Sequence, residues 1–277
     1  MNAPVAPAAL RPAAVASGGV VAADQLSELE ARGWTRVQAV YDRTLLEEVR
    51  AELESVRPLY TRIQEDAGVG DASRNALHHT IVTCRRMLRL LDPNPVDALL
   101  TAYFGGRYIL NTIGASFVEP DQAIYTQRIH RDLRSFSGST RLLANTLIML
   151  DDSTEENGAT WMASGSHRHD APPSEEAFYA TAERAVGRAG DVLVFDGNLW
   201  HSAGVNASTA TRCIVTPLYS RPFMKQALNY PAALGPDFGE TASPALRQVL
   251  GYNALTPTTL REFYQPPEKR FYKSDQG

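Results

Sequence analysis

Apolar positions along this chain follow two different periods. Within residues 23–32, Leu26 and Leu29 recur at helical spacing, and within 44–56 Leu45, Leu46, Val49, Leu53 and Val56 trace the stripe of an amphipathic helix. Thr44 is expected to cap the second helix, with Glu47 three residues on completing a capping box. Residues 71–75 read as a loop, and Pro95 opens a short helix through Tyr103 that Gly105 and Gly106 close.

From Tyr108 onward the period shortens. Residues 108–118, 124–129, 142–150, 159–163, 191–195 and 212–219 are short apolar or β-branched runs set between Pro, Gly, Asp and Asn, so each is expected as a strand. Strands this short and numerous indicate a sandwich or a barrel. The expected fold is mainly β: a jelly-roll, cupin-like core over roughly residues 108–222, with flanking helices and a helical N-terminal third. Residues 244–264 return to helical texture and are expected outside the barrel.

Length and composition narrow the setting. A chain of 277 residues that is 44% hydrophobic can bury one sizeable core, so 23–277 is expected as a single domain. Residues 1–22 are rich in Ala and Pro but lack a basic stretch followed by a continuous apolar run, which predicts a disordered arm and not a signal peptide. A net charge of -4 gives no reason to expect nucleic acid, and no apolar run approaches the length of a membrane span. Cys84 and Cys213 lie far apart, which predicts reduced thiols in a cytoplasmic protein.

Candidate chemistry gathers in the second half. His130-Arg131-Asp132 is a His-x-Asp at a predicted strand, where alternation puts residues 130 and 132 on one face. Such a tripeptide by itself is more often a solvated pair. His201, at the start of another predicted strand, completes two imidazoles and one carboxylate. That set is the facial triad of non-haem Fe(II) oxygenases, which leaves positions open for a co-substrate and O₂. Arg212 follows His201 by eleven residues and enters the apolar run Cys213-Ile214-Val215. Pointing inward it needs an anion, and with a triad nearby the distal carboxylate of 2-oxoglutarate is the expected partner.

Other residues carry blander readings. His167 and His169 make a His-x-His better explained by a loop end than by a second metal. His78 and His79 either line a substrate mouth or cap a segment, and Trp200 either walls the site or fills core. Cys213 alternates away from Arg212 and is expected to be inert, while Asp151 and Asp152 are expected in water.

Taken together these pieces resemble the phytanoyl-CoA dioxygenase family, in particular its members that oxidise small molecules. The similarity covers roughly residues 108–230 and rests on His130-Arg131-Asp132, Glu156-Asn157-Gly158-Ala159-Thr160, Gly165-Ser166-His167, Gly190-Asp191-Val192-Leu193-Val194-Phe195, His201-Ser202-Ala203-Gly204-Val205-Asn206 and Arg212. The resemblance implies a double-stranded β-helix with Fe(II), and with 2-oxoglutarate and O₂ as co-substrates. It implies His130, Asp132 and His201 as iron ligands, Arg212 as the carboxylate clamp, and Gln127 and Thr160 as further co-substrate contacts.

Two positions depart from the family pattern. Ala203 stands where some members carry a Ser that helps bind the co-substrate, and residues 142–150 lack a Trp that some members place there. Asp132 is the carboxylate that related halogenases lack, so its presence implies oxygen insertion, desaturation or ring chemistry. The expected activity is oxidation of an unactivated C–H bond in a small specialised metabolite, by hydroxylation, desaturation, epoxidation or ring rearrangement, with release of succinate and CO₂. A cupin-like metal-dependent isomerase or hydrolase without 2-oxoglutarate is one alternative, which Arg212 opposes. A non-catalytic ligand-binding jelly roll is another, which an intact triad opposes.

Overall fold

The computed structural model describes residues 21–270; the arm expected over 1–22 lies outside them except for Val21 and Ala22, which open the first helix. Helix Val21–Arg32 leads into strand β1 (Trp34–Val37), and helix Arg43–Asp66 precedes β2 (Ala76–His78). Helix Asp97–Phe104, ended by Gly105, precedes the long strand β3 (Ile109–Val118). Then follow β4 (Leu143–Met149), β5 (Trp161–Met162), β6 (Glu183–Arg184), β7 (Val192–Asp196), β8 (His201–Ser202) and β9 (Arg212–Ser220). All pairings are antiparallel. They form a six-stranded sheet of order β1-β7-β4-β9-β3-β2 and a three-stranded sheet of order β6-β5-β8.

Alternation along β9 shows how one sheet serves two purposes. Cys213, Val215 and Tyr219 turn toward the helical layer, joining Leu46, Val49 and Leu53 of helix Arg43–Asp66 and Leu100 and Phe104 of helix Asp97–Phe104 in one apolar cluster. Each large side chain taken from water there contributes roughly 1.5–3 kcal/mol. Ile214, Thr216 and Leu218 turn the other way and line a cavity. The large sheet therefore presents its helix-packed face to the main core and its opposite face to the candidate site. Burial pushes the Cys213 thiol well above its usual range, in keeping with an inert side chain.

Several expectations need correction. The second helix is capped by Asp42, whose carboxylate accepts from Leu45 N at 3.0 Å, and not by Thr44. A carboxylate both takes the free N–H and favours the positive end of the helix, so the start moves upstream. Residues 124–129 are not a strand. Tyr125–Gln127 form a 3₁₀ turn in which Gln127 N bonds Ile124 O and Arg128 N bonds Tyr125 O, and the bridge to a strand is made beyond it, at His130. Residues 71–75 overlap the one-turn helix Gly70–Ser73.

The N-terminal third is not wholly helical either. β1 pairs with β7 and β2 with β3, so both edges of the large sheet come from that third. Short helices Glu175–Thr181, Tyr230–Leu234 and Pro236–Thr241, the first two capped by Ser174 and Asn229, add to the helical share. Among the described residues helix outweighs strand, 37% against 19%, so they are mixed α and β around a β core and not mainly β by content. Among the described residues no helix is long and apolar enough to cross a membrane.

Candidate metal centre

His130 and His201 meet across an isolated antiparallel bridge. His130 N donates to His201 O at 3.0 Å and His201 N to His130 O at 2.8 Å, which sets the two rings 4.2 Å apart between centroids. Asp132, two residues on, turns to the same side. Its Oδ1 lies 3.9 Å from His130 Nε2 and its Oδ2 3.9 Å from His201 Nε2. One ligand atom from each of the three falls within 4.8 Å of the others.

Backbone carbonyls decide which ring nitrogens face inward. His130 Nδ1 lies 2.7 Å from Arg128 O, and His201 Nδ1 lies 2.9 Å from Leu199 O. A carbonyl can only accept, so in the neutral form of each ring Nδ1 carries the proton and Nε2 keeps the free lone pair. Burial, then the neighbouring His130, pushes the His201 pKa down to about 4, which keeps that ring neutral. Two neutral nitrogens and one carboxylate form a donor set that suits a divalent transition metal and leaves coordination positions free.

Arg212 closes the other end. Its side chain is 1% exposed, with Nε donating to Asn157 O at 3.0 Å and one Nη to Gly158 O at 2.5 Å. The remaining nitrogen, Nη1, is buried without a partner. Burial lowers the guanidinium pKa to about 10, so it is still a cation near neutral pH. A buried cation with one free donor is a ready seat for a carboxylate, and the residues present fit the distal end of 2-oxoglutarate.

A cavity of about 210 Å³ opens onto the triad, and Arg212 lies outside its lining. His130, Asp132, His201 and Thr160 line it, as do Ala203, Phe195, Asn145, Thr112, Ser116 and Thr216. Gln127 is not on its wall; Thr126 is, and the Gln127 Nε2 is buried beside it without a partner. His78 and Tyr125 stand at the open side, His78 Nε2 3.1 Å from the Tyr125 hydroxyl, so His78 belongs to the mouth. His79 instead contacts the buried Tyr230 hydroxyl through Nδ1 at 2.9 Å.

The other candidates stay apart. His167 packs under Gly33 and His169 does not join the cluster, so no second metal group arises from them. Trp200 lies on the outer side of His130, under the Arg131 guanidinium. Asp151 is not simply solvated, since it pairs with Arg50 and accepts from Cys213 N at 2.7 Å. Sequence reading missed Asn145 and Tyr125. An amide within the largely apolar β4 was the available signal for the first; the second sat in a mistaken strand.

The chain is similar to several known proteins. The profile of the family Phytanoyl-CoA dioxygenase matches residues 29–214. An uncharacterized protein of Mycobacterium tuberculosis is 34% identical over 162 residues, covering 58% of each chain, so this chain spans less than two thirds of that relative's length. A dioxygenase of Aspergillus fumigatus is 26% identical over 247 residues, covering 84% of this chain and 77% of that one. Among solved structures, AviO1 of Streptomyces viridochromogenes has TM-score 0.58 and 21% identity, covering 77% of this chain and 100% of that one. HygX of Streptomyces hygroscopicus, with nickel and 2-oxoglutarate bound, has TM-score 0.57 and 17% identity, covering 73% and 88%. At such identities the structural likeness is one of fold.

Proposed function

The chain belongs to the phytanoyl-CoA dioxygenase family, and from that premise we propose that it is a non-haem Fe(II)- and 2-oxoglutarate-dependent dioxygenase that oxidises an unactivated C–H bond of a small molecule. One observation carries the reading: His130, Asp132 and His201 converge on a point in the same cavity toward which β9 brings Arg212 with an unused, buried Nη1. A cupin-like isomerase or hydrolase would leave that cation without an anion.

In this reading His130 and His201 bind through Nε2, their rings held by backbone carbonyls, and Asp132 binds through a carboxylate oxygen. Iron bound there would supply the redox chemistry that couples conversion of 2-oxoglutarate and O₂ to succinate and CO₂ with oxidation of the substrate. Arg212 holds the far carboxylate of 2-oxoglutarate and so fixes its reach toward the metal. Thr160, on the wall, and Gln127, behind it, offer further donors. Phe195, Leu147 and Ile214 supply apolar surface that keeps bulk water from the reacting carbon.

The walls also bear on the substrate. Among the described residues that line the cavity Asp132 is the one carboxylate, and neither Lys nor Arg appears. The remaining polar groups are hydroxyls, an amide and imidazoles. This favours a substrate that is apolar in body. The fungal relatives named dioxygenases, and a structural neighbour described as a carbocyclase from nogalamycin biosynthesis, support a specialised metabolite. Hydroxylation, desaturation and ring rearrangement begin from such a C–H bond, whereas epoxidation oxidises a C=C bond. The test is anaerobic titration of 2-oxoglutarate into the Fe(II) protein. A metal-to-ligand charge-transfer band is expected, and its absence at saturating 2-oxoglutarate would overturn the reading.

A further inference from the structure

Asn145 sits in the middle of β4 and is 7% exposed, paired with Phe195 on one side and Leu218 on the other. It lines the cavity between apolar neighbours. Its Nδ2 donates to Asp132 Oδ2 at 2.7 Å. A carboxylate can only accept, so the amide has one admissible orientation, nitrogen toward Asp132. That orientation leaves Oδ1 buried with no partner at all.

An orphaned buried amide oxygen costs stability, and an apolar side chain of similar shape would suit the strand better. The fold therefore has no use of its own for an amide here. The two oxygens of Asp132 are equivalent by distance, each 3.9 Å from the Nε2 of one imidazole. A carboxylate so placed could turn both oxygens to an ion between the rings. The bond from Asn145 breaks this equivalence by engaging Oδ2 and leaving Oδ1.

We infer that Asn145 is a positioning residue for the metal centre: it holds Asp132 so that the carboxylate serves as a ligand through Oδ1 alone, at the expense of strand stability. One anionic oxygen and two imidazoles then occupy three positions, and the rest stay open for co-substrate. Partners of ligating carboxylates commonly affect metal affinity by about 10–100-fold when removed. This inference rests on the triad reading above.

Asn145→Leu and Asn145→Val remove the donor while keeping an apolar, strand-compatible side chain. Two quantities decide: the melting temperature of the metal-free protein, and the affinity for Co(II) followed by its visible absorption. In whichever variant folds, the expected result is a melting temperature equal to or above wild type with Co(II) affinity weaker by about 10–100-fold. A Co(II) affinity within twofold of wild type in both variants overturns the inference. A melting temperature lowered in both overturns it too, because the amide would then serve the fold. His201→Ala runs alongside. If wild type binds Co(II) no better than His201→Ala, the triad reading falls and this inference with it. If only His201→Ala loses binding, Asn145 alone has been misassigned.

Discussion

His130 and His201 exchange both backbone hydrogen bonds, at 3.0 and 2.8 Å, so the polypeptide itself fixes the separation of the two imidazoles. Neither ring depends on the metal to find its place. Replacing either by Ala should leave the fold standing, since the bridge is made by backbone atoms, yet abolish metal retention and 2-oxoglutarate turnover. Asp132→Gly should empty one coordination position and end substrate oxidation, because it removes the one carboxylate of the set. Metal content after gel filtration, beside a melting curve, checks both halves. Full iron occupancy in His201→Ala would remove that residue from the ligand set.

Arg212→Lys keeps a charge but loses the planar fork that reaches Asn157 O and Gly158 O while leaving Nη1 free. Loss of a charge-assisted contact is worth about 1.5–3 kcal/mol, roughly ten- to a hundredfold in 2-oxoglutarate affinity. Metal affinity should not move. The anaerobic charge-transfer titration reads the first and Co(II) binding the second; an unchanged 2-oxoglutarate affinity would remove the clamp.

Gly158 has φ +83°, and a Cβ there would meet Gly204 O at 2.6 Å. Its carbonyl also carries Arg212. Gly158→Ala should destabilise by more than the roughly 1–2 kcal/mol of left-handed strain alone, and should weaken 2-oxoglutarate binding as the acceptor shifts. Gly138, at φ +59° with nothing within 4 Å, is the control: its Ala variant should show the strain without the binding defect. Equal melting temperatures for the two variants would refute the close-contact account.

Glu119 accepts from Thr211 at 2.5 Å and from Arg57 at 2.8 Å beside the strand that carries Arg212. Burial pushes its pKa up, but the bonds from Thr211 and Arg57 outweigh it, so the carboxyl titrates below its usual 4.5. A depressed carboxyl stabilises the fold fully above that value, and the contribution is lost as pH falls through the folded pKa. Glu119→Gln should therefore lower stability by up to about 1 kcal/mol near pH 7 and flatten the loss below pH 4.5. Parallel acid-unfolding curves for the two proteins would argue against the linkage.

Much of this molecule could be read from contiguous residues. The helix at Ala23 to Arg32 and the strands β3, β4, β7 and β9 follow from periods that a short window contains, whereas His130 and Asp132 converge from an isolated bridge and a bend, not from the expected strand. That Arg212 and Cys213 turn to opposite faces of the sheet follows from alternation along one strand. Tertiary structure decided the rest. β1 and β2 are four and three residues long, too short for a period, and become strands because β7 and β3 offer them unpaired edges. Residues 124–129 have strand composition, yet their N–H groups bond within a turn that delivers His130 to His201. The bond from Asn145 to Asp132 and the unused nitrogen of Arg212 depend on which atoms distant segments bring together, and no period along a chain encodes the partner of a single buried atom.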